Sequence, residues 1–321
     1  MIFTFVIISA VIGLELIANL WYNKWRKIPA RDRGNILDKI ILRESFCAWI
    51  DLLGYGSTFY KNNWDLSTSE AVNNLYRIKS LEPALLSISN PYCETLFALN
   101  DGIIRNFDIP KNDALLIMQW LVDVLLKFKA VNKLDIDNGF YGCRGVVTYG
   151  TRAQYRELDT LGKGDLIYTS EEKKTEYNKT RIIYTPNELQ MNTAFSKAYI
   201  VESGGSAKGL IKNKIHLDEK MLDMVIYYIN HSKPTEFGLT DEDFEKYGAC
   251  IYKYSAAFDK EQKIFTVTAQ TGDSVWECLK IEFDNIIPYE NDRQALTTRL
   301  FTPKRVVDSM YSQYDSGDFE L

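Results

Sequence analysis

Two aspartates about fifty residues apart stand where this chain is best able to hold a carboxylate still. The first closes Phe46-Cys47-Ala48-Trp49-Ile50-Asp51 and is followed by Leu52-Leu53-Gly54-Tyr55-Gly56-Ser57. An apolar run of strand formers thus ends on an acid and passes at once into a glycine-spaced, hydroxyl-bearing turn. The second sits in Leu96-Phe97-Ala98-Leu99-Asn100-Asp101-Gly102-Ile103-Ile104-Arg105-Asn106-Phe107. Two short apolar runs joined at Asn-Asp-Gly are a strong hairpin signal, with an acid at the tip. A buried strand that delivers one carboxylate beside a loop of unobstructed amides suits a cation that carries phosphates. Two such carboxylates are what a site for one or two divalent ions needs. The plainer roles are a strand-end cap or ion pair for Asp51 and a turn-forming aspartate for Asp101.

The rest of the composition narrows the chemistry to carboxylates. Only His216 and His231 are present, one among lysines and carboxylates and one past a helix end, so histidine-based catalysis is not expected. Cys47, Cys93, Cys143, Cys250 and Cys278 are scattered and contain no CxxC pair. They read as small buried hydrophobes in a reducing compartment, not as a zinc site or a disulfide framework. A net charge of -5 without a basic stripe interleaved with aromatics argues against a general nucleic-acid binder. With 321 residues, 46% hydrophobic and 25% charged, the chain has the material for one large or two modest folded domains.

The elements that must position the acids can be placed in order. Ile2 to Trp21 is almost wholly apolar, with Glu15 its one charge, and Trp25, Arg26, Lys27 and Arg31 follow. Twenty residues at a rise of about 1.5 Å suffice to cross a ~30 Å hydrocarbon core, and the basic flank puts the downstream part in the cytoplasm. The alternative is an amphipathic or buried helix, because Glu15 is costly in mid-bilayer. Ile28 to Arg33 reads as a linker, and Ile36 to Leu42 as a short helix or a lead-in strand. Strand Phe46 to Asp51 comes next. Ala71, Leu75, Ile78 and Leu81 then mark an apolar helix face capped by Ser67 or Thr68. Asn112 is expected to cap a helix over Asp113 to Val131, apolar around most of its circumference and so buried on more than one side. Gly142 to Gly150 is another strand.

Strand, helix, strand, hairpin, strand, helix, strand is the split βαββαβ arrangement of the ferredoxin-like α+β class, which would bring Asp51 and Asp101 together. Beyond it, Thr151 to Thr180 is a polar excursion and Arg181 to Tyr184 a short strand. Asn192 to Glu202 reads as a helix stopped at Gly204-Gly205, Ile215 to Leu217 as a strand and Glu219 to Asn230 as a helix. From Gly248 on, Ala249 to Phe258, Lys263 to Thr268 and Trp276 to Phe283 alternate like antiparallel strands, either extending the sheet or forming a small accessory domain. The division is an anchor with its basic flank over 1–27, a linker over 28–44, a catalytic domain over 45–240 and a β-rich extension over 241–321.

From Ser45 to Asp218 the motifs resemble the class III nucleotide cyclases, nearest the bacterial branch that makes cyclic pyrimidine mononucleotides in anti-phage (Pycsar) signalling. Asp51-Leu52-Leu53-Gly54-Tyr55 is similar to that family's Asp-Ile-x-Gly-Phe metal motif, and Asn100-Asp101 sits where its second metal aspartate occupies the hairpin. Cys143-Arg144-Gly145-Val146-Val147-Thr148-Tyr149-Gly150 resembles its Arg-Gly strand, and Ala194 to Glu202 its late Ala-Tyr-x-x-Glu helix. The chain departs from the purine-specific members. Their lysine before the hairpin is missing from Thr95-Leu96-Phe97-Ala98-Leu99, and Ser196 and Ile200 stand where an Asn and an Arg would be.

The resemblance implies two divalent cations, Mn2+ or Mg2+, held by Asp51, Asp101 and the Leu52 carbonyl. It also implies that the amides of Leu53, Gly54, Tyr55, Gly56 and Ser57 hold the β- and γ-phosphates of a nucleoside triphosphate. Arg144 is directed at the triphosphate or at a structural carboxylate, Lys197 at the phosphates or at solvent, and Arg105 is a further cation. Phe97, Tyr149 and Tyr199 either stack on a base or pack the core. Members of the family work as head-to-tail homodimers with sites at the interface. Three readings stay open: a membrane-anchored pyrimidine cyclase, an inactive nucleotide sensor on the same fold, and a structural protein whose acids cap turns.

Overall fold

The computed structural model describes residues 40–86, 94–155, 192–236, 251–312 and 315–321. The apolar segment 2–21 with its basic flank, the linker around Pro29, most of the polar excursion and the strand Arg181 to Tyr184 lie outside the described residues. None of the described helices is long and apolar enough to cross a membrane. The chain divides into two compact units. One, Arg43–Arg152 with Met191–Leu321, carries every side-chain contact discussed below. Of the other, Met1–Leu42 with Ala153–Gln190, only residues 40–42 and 153–155 are described.

Strand β1 (Ile40–Leu52) is the hub, and it settles Ile40 to Leu42 as lead-in strand. Three short helices follow it, α1 (Tyr55–Lys61), α2 (Ser69–Ser80) and α3 (Glu82–Leu86), where the sequence pattern gave one. Strands β2 (Glu94–Leu99) and β3 (Gly102–Asp108) form the expected hairpin, and α4 (Ala114–Asp137) leads to β4 (Cys143–Tyr155). The strand order β2-β3-β1-β4 is that of the split βαββαβ arrangement, with β3 antiparallel to both β1 and β2. Then come α5 (Thr193–Ser203), β5 (Ile215–Asp218) and α6 (Glu219–Asn230).

The C-terminal strands extend the same sheet. They are β6 (Thr235–Glu236), β7 (Ile251–Asp259), β8 (Ile264–Thr271), β9 (Ser274–Asn291), β10 (Leu296–Ser312) and β11 (Asp315–Glu320). The join is between β5 and β10, antiparallel, with Leu300 opposite Asp218 and Phe301 opposite Leu217. β10 and β11 are invisible to a search for alternation. Pro303 sits inside β10 at a shift of register, a place where a strand tolerates a residue that cannot donate to the ladder.

One face of the sheet carries the main core. Phe46, Ala48, Ile50 and Leu52 of β1 point into it, and Trp120 of α4 stacks on Phe107 at 5.0 Å and on Phe46 at 5.6 Å. The all-round apolar character of α4 is thus absorbed within the chain, against the sheet and its neighbouring helices. Its cap is Asp113, not Asn112, because the Asp113 carboxylate accepts from the Leu116 amide at 2.9 Å. The helix also runs past Val131. Asn132 would ordinarily favour a stop, but its side chain is engaged as an acceptor for the Cys143 amide at 2.8 Å. Cys47, Cys143 and Cys278 are free and buried, as small hydrophobes.

Helix α2 is capped by Thr68, as expected, and Ala71, Ile78 and Leu81 of the predicted face pack against the core, while Leu75 does not. Asn74 and Arg77 point inward with Ala71, while Val72, Leu75 and Tyr76 are exposed. The polar partners beneath the helix, described below, draw Asn74 and Arg77 inward.

His216 is fully buried at the β5–β10 seam. Its Nδ1 meets the Thr302 hydroxyl at 2.9 Å, and its Nε2 accepts from the Ile211 amide at 3.2 Å. Burial pushes the imidazole down to about 4, so it is neutral when folded. The unfolded chain binds this proton near pH 6.5 and the folded one does not. Stability is therefore present above pH 6.5 and lost as pH falls towards 4, by at most about 3 kcal/mol. Urea unfolding at pH 7 and pH 5 should show a smaller difference for His216→Gln than for the natural protein. An equal difference would rule His216 out as its source.

Candidate functional site

Alternation along β1 sends Ser45, Cys47, Trp49 and Asp51 to the face opposite the main core. Asp51 pairs in register with Gly102, and the Leu52 amide donates to the Asp101 carbonyl at 3.0 Å. The hairpin tip therefore lies directly against the end of β1, and the two aspartates converge as the topology requires. Gly102 is obligatory for a reason the turn alone does not supply. A Cβ there would lie 1.8 Å from the Trp49 ring, which covers the hairpin at that point. The positive φ of the turn is taken by Asn100 instead, at 56°.

The electrostatics of this corner are dominated by excess negative charge. The Asp51 carboxyl is raised from 3.8 to about 7, first by burial, then by the carboxylates of Glu202 and Asp101; the Arg144 and Arg77 guanidiniums pull it back only in part. Glu202, on α5, was seen in the sequence only as a motif end and emerges as the third acid of the corner. Trp49 was also missed, although the two-residue period of a strand places it on the same face as Asp51.

The loop after β1 is more structured than a free turn. Gly54 has φ 72° and opens α1, and a Cβ on it would meet the Tyr141 ring at 2.7 Å. The Leu53 amide donates to the Gly142 carbonyl at 3.0 Å and the Ser57 amide to Gly54 at 3.2 Å. The Ser57 hydroxyl also donates to the Gly54 carbonyl, at 2.6 Å. Those two amides are spent, which corrects the expectation that Leu53 through Ser57 present a continuous cradle; Gly54, Tyr55 and Gly56 remain at the head of α1. The Tyr55 ring is buried edge-on to Phe59 at 5.2 Å, so this residue offers backbone, not a stacking surface.

The cations are committed within the chain. Arg144 of β4 donates through Nε to Glu202 at 2.9 Å, with its Nη2 on the same carboxylate oxygen. The structural carboxylate weighed against the triphosphate is thus Glu202. Lys197 of α5 lies 2.7 Å from Asp218, itself fully buried and bonded to the Thr298 hydroxyl at 2.6 Å. Arg105 is buried between Glu94 and Asp123, at 2.9 and 2.5 Å from its Nη2.

The aromatic candidates separate. Tyr149 donates to Glu44 at 2.5 Å, a carboxylate that Tyr228 also binds. Glu44 is seven residues before Asp51 on β1, roughly 23 Å of extended strand, so Tyr149 is not brought to the acids. Tyr199 of α5 is half exposed and stands edge-on to Trp49 at 5.5 Å. Phe97 of β2 is opposite Ile104, which is opposite Trp49, so Phe97, Ile104 and Trp49 form one row on the Asp51 face. Phe97 also borders an open groove of about 310 Å³ along β2, with Ile78, Leu85 and Leu96.

No group of three or more His, Cys, Asp or Glu side chains able to hold a metal occurs among the described residues. Two carboxylates at a strand end are too few for a closed cage. They suit magnesium-type sites, where one or two carboxylates act together with substrate phosphates and water. The raised proton affinity of Asp51 fits as well, since a cation relieves the repulsion that a proton otherwise relieves.

No protein-family model matches the chain, and no curated protein does. Among solved structures the chain is similar to the guanylyl cyclase Cya2, with a TM-score of 0.39 and 13% identity over 82% of this chain and 92% of that one. It is also similar to the adenylyl cyclase CyaB from P. aeruginosa, with a TM-score of 0.35 and 9% identity over 82% and 95%. The functional reading therefore stands on the residues of the site.

Proposed function

We propose that this chain is a metal-dependent nucleotide cyclase that converts a pyrimidine nucleoside triphosphate, UTP or CTP, to its 3′,5′-cyclic monophosphate and pyrophosphate. The observation that carries this reading is the meeting of Asp51 and Asp101 at adjoining strand ends, with the Asp51 carboxyl held near neutrality. In the reaction the ribose 3′-oxygen bonds to the α-phosphorus, the bond to the bridging oxygen breaks, and the hydroxyl proton departs. Asp51 and Asp101, with the Leu52 carbonyl, would hold two divalent cations, Mn2+ or Mg2+, whose chemistry is to activate the hydroxyl and neutralise the phosphates. The amides of Gly54, Tyr55 and Gly56 face the phosphates from the head of α1. Trp49 and Tyr199 wall the corner and limit water on the α5 side.

The pyrimidine assignment is supported by the absence from β2 of the lysine of the purine-specific members. Ser196 and Ile200 on α5 stand in place of an Asn and of the Arg that steadies the transition state, which fits a reorganised pocket or an inactive sensor. The proposal extends, on the sequence motifs, to a homodimer with interface sites, to anchoring by residues 2–21 with the domain in the cytoplasm, and to second-messenger signalling in anti-phage defence.

One observation favours a second reading. Arg144 and Lys197 are both tied to carboxylates of their own chain, so neither is free to steady a transition state. A nucleotide sensor without turnover fits that arrangement. The purified full-length protein should be incubated with each ribonucleoside triphosphate and Mn2+ or Mg2+, with mass spectrometry for cyclic products. One cyclic product, absent with Asp51→Ala, is the expected result. Metal-dependent nucleotide binding without product would select the sensor, and no binding at all would end both readings.

A further inference from the structure

Helix α2 gives up apolar burial to aim two polar side chains at the loop that follows Asp51. Arg77 and Asp135 form a two-pronged pair, Nε and Nη2 each 2.5 Å from a carboxylate oxygen, with side chains 1% and 0% exposed. The remaining prongs of the same guanidinium reach two loops. Nη1 donates to the Leu53 carbonyl at 3.1 Å and Nη2 to the Gly142 carbonyl at 3.2 Å. Asp135 in turn accepts from the Gly142 amide at 2.9 Å, and Gly142 accepts from the Leu53 amide at 3.0 Å, which closes a ring of bonds. Phe140 lies over the guanidinium at 4.7 Å, and Asn74, one turn back on α2, donates to the Tyr55 carbonyl at 2.9 Å.

A buried ion pair of this kind gains little stability over well-packed apolar side chains of the same volume. What it does supply is direction, because a planar fork fixes several acceptors at once in a way that lysine cannot. The Leu53 acceptor and the Asn74 contact at Tyr55 fall within four residues of Asp51, and the Gly142 acceptor is bonded directly to Leu53.

We propose that Arg77, locked by Asp135 and assisted by Asn74, is the positioning residue of the candidate site, holding Leu53 to Tyr55 so that the Asp51 carboxylate and the head of α1 face one ligand. The proposal rests on the cyclase reading for the identity of that ligand, but not for the mechanical role.

The test uses the full-length protein, Arg77→Lys, and a double variant, Arg77→Met with Asp135→Leu. Two quantities are read: hydrogen exchange of the amides at residues 53–57, and Mn2+ affinity by electron paramagnetic resonance with Mn2+ as the sole added ligand. The double variant is expected to melt close to the natural protein, to exchange the 53–57 amides at least about tenfold faster, and to bind Mn2+ about ten- to a hundredfold more weakly. Natural exchange and affinity in a folded double variant would overturn the proposal. Should the double variant not fold, Arg77→Lys is judged on the same two readings. If Arg77→Lys also fails to fold, Arg77 is a folding residue and the proposal is overturned. If the natural protein binds no Mn2+, the metal reading has failed, and the exchange of the 53–57 amides alone decides whether Arg77 holds the loop.

Discussion

Asp51→Asn is expected to make the metal-free protein more stable at pH 8 while lowering the proposed cyclase turnover by at least about a hundredfold, as loss of the proposed metal ligand should. The folded carboxyl titrates near 7 and the unfolded one near 3.8, because burial, Glu202 and Asp101 all oppose its ionisation. Between those values the native state holds the extra proton, so stability falls as pH rises through the window, and the full cost is present above pH 7. Three pH units set an upper limit of about 4 kcal/mol, and relaxation around a partly accessible group makes about 2 kcal/mol the working figure. Asparagine carries no such cost. Added Mn2+ should raise the melting temperature of the natural protein and leave the variant unmoved, since only a state that binds the ion gains from it. Scanning calorimetry at pH 5 and pH 8, with and without Mn2+, checks both arms. A variant less stable than the natural protein at pH 8, or one that keeps the Mn2+ response, would remove Asp51 from the site.

The largest loss of stability is expected from Asp135→Ala. This leaves the Arg77 guanidinium, 1% exposed, without its counter-ion and strips the Gly142 amide of its acceptor. Removing one partner of a buried pair costs about 3–5 kcal/mol, because an uncompensated charge stays inside. Urea titration measures it directly. Pairing the change with an apolar residue at position 77 should recover most of the loss, since then no charge is buried. A single variant within about 1 kcal/mol of the natural protein would mean that water reaches Arg77.

What could be read in advance was what local rules govern. An apolar run of strand formers ending on an acid gave β1, Asn-Asp-Gly gave the hairpin, and Glu219–Asn230 was placed as a helix with the ends it has. The convergence of Asp51 and Asp101 followed from element order. What stayed hidden depended on partners far away in the chain. Leu75 reads as a core residue beside Ala71, Ile78 and Leu81, but Arg77 and Asn74 find acceptors at Leu53, Gly142 and Tyr55 and take the inward positions, which leaves it exposed. Tyr149 neighbours the acids in motif order, yet Glu44 claims it at the opposite end of β1. The amides of Leu53 and Ser57 looked available because nothing in the sequence says that Gly142 and Gly54 will accept from them. Glu202 and Trp49 carried a signal in strand period and helix position that only a fold makes chemical.

The seam at β5 has a bearing on how the protein is made. Its parallel neighbour β4 is synthesised before it, but its other neighbour β10 follows roughly eighty residues later. At translation rates of about 5–20 residues per second, β5 waits several seconds with one edge unpaired. Throughout that interval His216 lacks Thr302, and Asp218 lacks Thr298. The nascent chain thus carries an open strand edge beside finished helices, the kind of surface that chaperones shield and that pairs wrongly when ribosomes are crowded. Yield of folded protein should therefore respond more to the speed of translation between β5 and β10 than to anything at the Asp51 corner.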